Sequence, residues 1–190
     1  MLQSLADHVA HDLRNDLNGL SVNIEVVRSR SARGAEASAV APFAGNASSQ
    51  FEKLSRRTMA LLGLSRRSDA SPDISLVLRQ LSDLFGEGEG NIPTLRVDGG
   101  ADGLPAGTSA PADAVRVALA SAVLACIQGG GRASSRVEAA HAVRVYIHGE
   151  ADPPVALPQV VAAILRAHGI GVQCEGAELC LTFPPPPGKE

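Results

Sequence analysis

Leu2, Leu5, Val9, Leu13, Leu17, Leu20, Ile24 and Val27 recur at spacings of three and four. That repeat commits residues 2 to about 33 to one long amphipathic helix, with an apolar stripe of the coiled-coil or bundle kind. A second stripe, Phe51, Leu54, Thr58, Leu61 and Leu62, predicts a second helix from about Ser49 to Arg67. Between them, Gly34 to about Ser48 is rich in Ala, Ser and Gly with one Pro, and reads as a turn region. Two long helices joined this way form an antiparallel hairpin. A hairpin alone cannot bury a wide apolar stripe on both members, whereas two hairpins paired as a four-helix bundle can. The expectation is therefore a homodimer. The alternative is a monomer whose second domain covers the stripe.

After the polar linker Ser68 to Pro72, the pattern changes to that of one α/β domain. A helix is predicted over 73–85, with Ile74, Val77, Leu78 and Leu81 inside, then a turn at Gly86 to Gly90 and a strand over 93–98. Pro111 opens a helix to about Gln128 that is nearly all apolar and hence buried, and Gly129 to Gly131 ends it. Val143, Val145 and Ile147 alternate as a strand. A helix over 157–168 precedes a hairpin of 170–174 and 178–183, turning at Glu175-Gly176-Ala177, and Pro184–Pro187 is an extended end.

Charge and cysteine usage exclude several functions. The chain has 190 residues, 45% of them hydrophobic, and a net charge of −3, with no basic signature for nucleic acid. No run of 18 apolar residues suggests a membrane span, and no signal-peptide pattern opens the chain, so the expected location is cytoplasmic. Cys126, Cys174 and Cys180 form no CxxC pair and read as reduced core thiols, not as a metal site. Residues 1–67 hold nine Lys or Arg against six Asp or Glu, a modest positive balance that suits an acidic partner surface.

Within the first helix stands His11-Asp12-Leu13-Arg14-Asn15-Asp16-Leu17. His11 lies roughly 160° around the helix from Leu13, so it points away from the apolar stripe, and Asn15 one turn on shares its face. An isolated histidine on a wet face is usually just a polar residue. Here a carboxylate is adjacent. A neutral imidazole is a competent nucleophile near pH 7. A neighbouring carboxylate can hold the ring tautomer and accept a proton.

That heptapeptide resembles the phosphoacceptor box of bacterial histidine kinases: His, Asp or Glu, any residue, Arg, Asn or Thr, Pro, Leu. Six of the seven positions fit, and Asp16 stands where the family usually has proline. The resemblance implies that His11 is phosphorylated and that Asp12 is its acid/base partner. It also implies a role for Asp12 and Asn15 together in dephosphorylating the partner protein. Arg14, Asn18 and His8 are the candidate partner-binding residues around this box, and His8 is also the second-choice acceptor. The later helices and strands resemble the family's ATP-binding domain, with the closest local match over Leu165 to Pro184. The implied fold class is α+β. A long antiparallel helical hairpin (residues 1–67, a dimeric four-helix bundle) is followed by a histidine-kinase-ATPase-like α/β sandwich (residues 73–190).

The departures from that family carry the functional reading. Where its buried helix bears asparagines for the magnesium of Mg-ATP, this chain has Ser121 and Ala125. The strand ending at His148-Gly-Glu-Ala-Asp-Pro-Pro154 lacks the Asp-x-Gly-x-Gly turn, and only a few residues precede the helix near Ala156-Leu-Pro, which leaves no room for a lid. Asp98-Gly-Gly-Ala-Asp-Gly103 is glycine-rich but precedes the buried helix and reads as a loop. The expectation is a histidine phosphotransferase that binds no ATP, no other cofactor and no metal. It exchanges a phosphoryl group between His11 and the aspartate of a response-regulator receiver domain, which holds the Mg²⁺. The alternative is a non-catalytic docking module with a vestigial His11. A third reading, an ATP-dependent kinase with an unusual pocket, is opposed by the missing nucleotide features.

Overall fold

The structure is a computed structural model that describes residues 2–66, 72–85, 94–98, 106–127, 131–139, 142–150 and 156–186, with side chains from Val9 onward. Of the expected linker Ser68 to Pro72, Ser68–Ser71 lie outside the described residues, as do Gly86–Gly90, Gly99–Gly103, Gly129–Gly130, Ala151–Val155 and Pro187. The chain divides into two compact units, Leu2–Leu61 and Leu62–Glu190.

The first unit is built from two helices, α1 (Leu2–Ala32) and α2 (Ala37–Ser65). Gly34 closes α1 in the left-handed region at φ 73°, and Ala35 N–H reaches back to the Arg30 carbonyl at 3.1 Å. That six-residue closure satisfies a carbonyl at the helix end and reverses the chain at once. Here the expectation of a turn region up to Ser48 is corrected, because α2 begins at Ala37 and carries Pro42 inside it. Proline and the small residues pointed to a loop on local propensity. Contacts with α1 outweigh them: Arg30 donates to the Ala39 carbonyl at 2.9 Å, and its guanidinium lies 4.5 Å from the centre of the Phe43 ring. The helices run antiparallel. As numbering rises along α1 it falls along α2, so that Asp12 and Asp16 meet Arg57, Asn23 meets Gln50 and Arg30 meets Phe43.

The face that α1 presents to α2 is therefore polar: Asp12, Asp16, Gly19, Asn23 and Arg30 recur at spacings of three, four and seven. Gly19 leaves room for the Gln50 side chain, since a Cβ there would fall 2.6 Å from its amide nitrogen. The apolar stripe lies beside this face. Val9 is buried, whereas Leu17 and Ile24 are about half exposed.

The second unit is α+β. Its elements are α3 (Ile74–Phe85), β1 (Thr94–Val97), α4 (Ala112–Ile127), β2 (Arg132–Ala139), β3 (Val143–Gly149), α5 (Gln159–Ala167), β4 (Gly171–Glu175) and β5 (Glu178–Phe183). Asp73 caps α3, its carboxylate accepting from Ser75 N–H at 2.9 Å. The five strands form one sheet in the order β1-β2-β3-β5-β4, with only β1 and β2 parallel. Leu95, Val145, Ile147, Leu181 and Phe183 face the helices and are fully buried, while Arg136, Arg144 and Arg96 stand on the open face. This is the alternation expected of a sheet covered on one side. Gly176, at φ 56°, begins the two-residue turn between β4 and β5. Among the described residues no helix is long and apolar enough to cross a membrane.

β2 carries no clear strand signal in the sequence, because Ser134, Ser135, Arg136 and Glu138 give it little apolar alternation. It is held as a strand by pairing on both sides, parallel to β1 and antiparallel to β3. The expectation of three core thiols is corrected: Cys126 is buried, Cys180 is half-buried and Cys174 is exposed. The reason is position, since β4 is an edge strand whose five residues are all exposed, and Cys180 faces the open side of the sheet.

Cys126 sits in α4 with its thiol directed at the Ile147 carbonyl, 3.5 Å away. Burial, and secondarily the neighbouring Cys174 thiol, push it up from the ordinary value near 9 to about 11. Its protonated form is thus favoured by folding. The associated stability is complete below pH 9 and is lost as pH rises from there through about 11. At pH 8 a thiol reagent is expected to modify Cys174 and Cys180 in the native protein and to reach Cys126 only after denaturation. Equally fast modification of all three cysteines without denaturant would contradict this packing.

Candidate phosphoacceptor site

His11 is placed by helical periodicity alone, on the face of α1 opposite Leu13, and its side chain is 70% exposed. Asn15, one turn on, donates from Nδ2 to His11 Nδ1 at 3.2 Å. The Asp12 Oδ1 atom is 3.6 Å from the same Nδ1. Nε2, on the far side of the ring, contacts no polar side chain among the described residues. The two Nδ1 contacts ask for opposite tautomers. An amide N–H needs an unprotonated Nδ1, and a carboxylate attracts a protonated one. Turning the Asn15 carboxamide over puts its oxygen toward the ring and lets both neighbours accept from Nδ1–H.

Asp12 is not a free surface carboxylate, being only 16% exposed. Its Oδ2 takes a charge-assisted hydrogen bond from Arg57 Nη2 at 3.2 Å. The other arm of the same guanidinium donates to Asp16 Oδ2 at 2.6 Å, and Lys53 Nζ donates to Asp16 Oδ1 at 3.1 Å. Arg57 is 4% exposed at its side chain. Two carboxylates one turn apart on α1 thus meet two cations one turn apart on α2.

Of the residues singled out in the sequence, His11, Asp12 and Asn15 come together at one point. Arg14 and Asn18 are exposed on α1 and, among the described residues, form no hydrogen bond or ion pair with His11. His8 lies in α1, one turn before His11, and its side chain is outside the described residues. Sequence reasoning missed Lys53, Arg57 and the part played by Asp16. A signal was present: Asp12 and Asp16 at i, i+4, beside an apolar stripe, require cations from another element, and Lys53 and Arg57 repeat that spacing. Among the described residues no cluster of three His, Cys, Asp or Glu side chains forms a metal site.

No family model matches the chain, and no curated protein does. Among solved structures it is similar to a bacterial phosphotransferase, at 13% identity and a TM-score of 0.42 over 94% of this chain and 92% of that one. It is similar to the Acinetobacter baumannii histidine kinase AdeS, at 15% identity and a TM-score of 0.42 over 92% and 97% of the two chains. A third likeness is to the Erythrobacter litoralis EL346 blue-light activated histidine kinase, at 15% identity and a TM-score of 0.35 over 86% and 63%.

Proposed function

We propose that this chain is a histidine phosphotransferase of two-component signalling, a homodimeric carrier that exchanges a phosphoryl group between His11 and a receiver-domain aspartate without binding ATP. The observation that carries this reading is the His11 ring. It stands 70% exposed on a helix face, with its Nδ1 edge against Asp12 and Asn15. With the proton on Nδ1, the lone pair is on Nε2. That nitrogen forms the N–P bond as the P–O bond of a receiver aspartyl phosphate breaks, and the receiver carboxylate leaves with the bond's electrons. The Asp12 carboxylate offsets the positive charge that develops on the ring. A Mg²⁺ held by the receiver supplies charge neutralisation at the phosphoryl oxygens.

The independence from ATP rests on α4. Ser121 and Ala125, at the positions where the resemblance puts metal-binding asparagines, are buried in the packing of that helix and offer no carboxamide. Those residues do not fit a Mg-ATP site. Incubation with ³²P-labelled receiver domains in the absence of nucleotide tests the carrier role. Acid-labile label on this protein is expected. If no member of a receiver panel passes label on, the docking-module reading replaces it.

The dimer rests on what the hairpin leaves uncovered. Leu17 and Ile24 on α1 are about half exposed, and Phe51 and Met59 on α2 are 61% and 68% exposed. Pairing two hairpins covers such a face, at roughly 1.5–3 kcal/mol for each large side chain fully buried. Light scattering is expected to give twice the 19.5 kDa chain mass. The Leu17→Lys, Ile24→Lys double variant is expected to run as a monomer or to unfold. A wild-type protein that remains monomeric at high concentration would exclude the bundle.

A further inference from the structure

Arg57 is the one charged side chain among the described residues that is buried, and it is 45 residues in sequence from the carboxylate it holds. A buried guanidinium is retained at a desolvation cost that its carboxylate partners must offset. Its Nε is buried with no hydrogen-bond partner, so it is not placed for its own best solvation. What its position does achieve is geometric. With Oδ2 tied to Arg57, the plane of the Asp12 carboxylate is set, and Oδ1 is left facing His11 Nδ1.

We propose that Arg57 is a positioning residue of the phosphoacceptor: reaching across from α2, it aims the Asp12 carboxylate at His11 Nδ1 and so keeps Nε2 as the attacking nitrogen. Asp16 and Lys53 complete the device. Asp16, standing where the phosphoacceptor box has proline, takes the second arm of the guanidinium, and Lys53 balances its charge. The planar fork of arginine spans both carboxylates, and a lysine at this position reaches only one. The 3.6 Å between Oδ1 and Nδ1 exceeds a hydrogen bond, and contacts of this kind close in the reactive complex. This inference rests on the phosphotransfer reading, but its physical core, control of the His11 tautomer, does not require phosphorylation.

The test combines kinetics with a spectroscopic readout. In Arg57→Met the rate of label transfer from a phosphorylated receiver is expected to fall on the order of 10²-fold through loss of orientation. Arg57→Lys should recover part of that loss. In an Asp12→Asn background the Arg57→Met substitution should cost almost nothing more, because Arg57 acts through Asp12. Full additivity of the two losses would overturn the proposal and leave Arg57 a purely structural ion. Independently, ¹⁵N shifts of the His11 ring should report the Nδ1–H tautomer in wild type and a mixed population in Arg57→Met. Identical shifts in both would also overturn it. If wild type takes up no label, the carrier reading fails while the shift comparison still decides the positioning role. Should Arg57→Met fail to fold, Arg57→Lys and Asp16→Asn carry the same comparisons.

Discussion

His11→Ala is expected to abolish phosphoryl uptake completely, with the helical content and molar mass of the wild type. The side chain is 70% exposed, and its contacts are with Asp12 and Asn15 on its own helix. A substitution at such a position changes stability by no more than about 0.5 kcal/mol. Alanine has no nucleophilic atom to take the phosphoryl group. His8→Ala is the control and should retain label. If the His8 variant loses label and the His11 variant keeps it, the acceptor is misassigned. Circular dichroism and light scattering on both variants separate lost chemistry from lost structure.

The second large effect is expected for Asp12→Asn, which should slow transfer by about 10²–10⁴-fold, the range over which a positioned carboxylate assists such reactions. The amide keeps the shape, but with its single oxygen on Arg57 it turns its NH2 toward His11 Nδ1, and it lacks the charge that stabilises a developing imidazolium. Label should therefore still accumulate, slowly, in contrast to its absence in His11→Ala. The substitution also removes one of the two counter-charges of a buried guanidinium, so a loss of thermal stability is expected alongside. Single-turnover transfer measured well below the melting temperature separates the two consequences. An unchanged rate would remove Asp12 from the mechanism.

The helix that carries the site was legible because its evidence is local. Helical periodicity places His11 on the face away from Leu13 and Asn15 on the same face one turn on, and both placements appear in the structure. The buried helix α4 was legible for the same reason, as a nearly all-apolar run followed by glycine. The strand β2 was not, because its residues lack the alternation that marks a strand, and neighbours on both sides decide its state. The first turns of α2 were misread as loop because proline and small residues lower helix propensity locally, while the contacts of Arg30 that hold them come from the other helix.

The sequence by itself determined the stripe, the box and the direction in which His11 points. These depend only on 3.6 residues per turn and on which residues are apolar. The tertiary structure alone decided that Asp12 is clamped, that Asp16 shares its clamp, and that the cation doing so is Arg57 of α2. Those pairings join residues 41 and 45 positions apart. They exist only in the register set where Gly34 turns the chain and α2 begins at Ala37, and a shift of one residue between the helices would rotate Arg57 by about 100° away from both carboxylates.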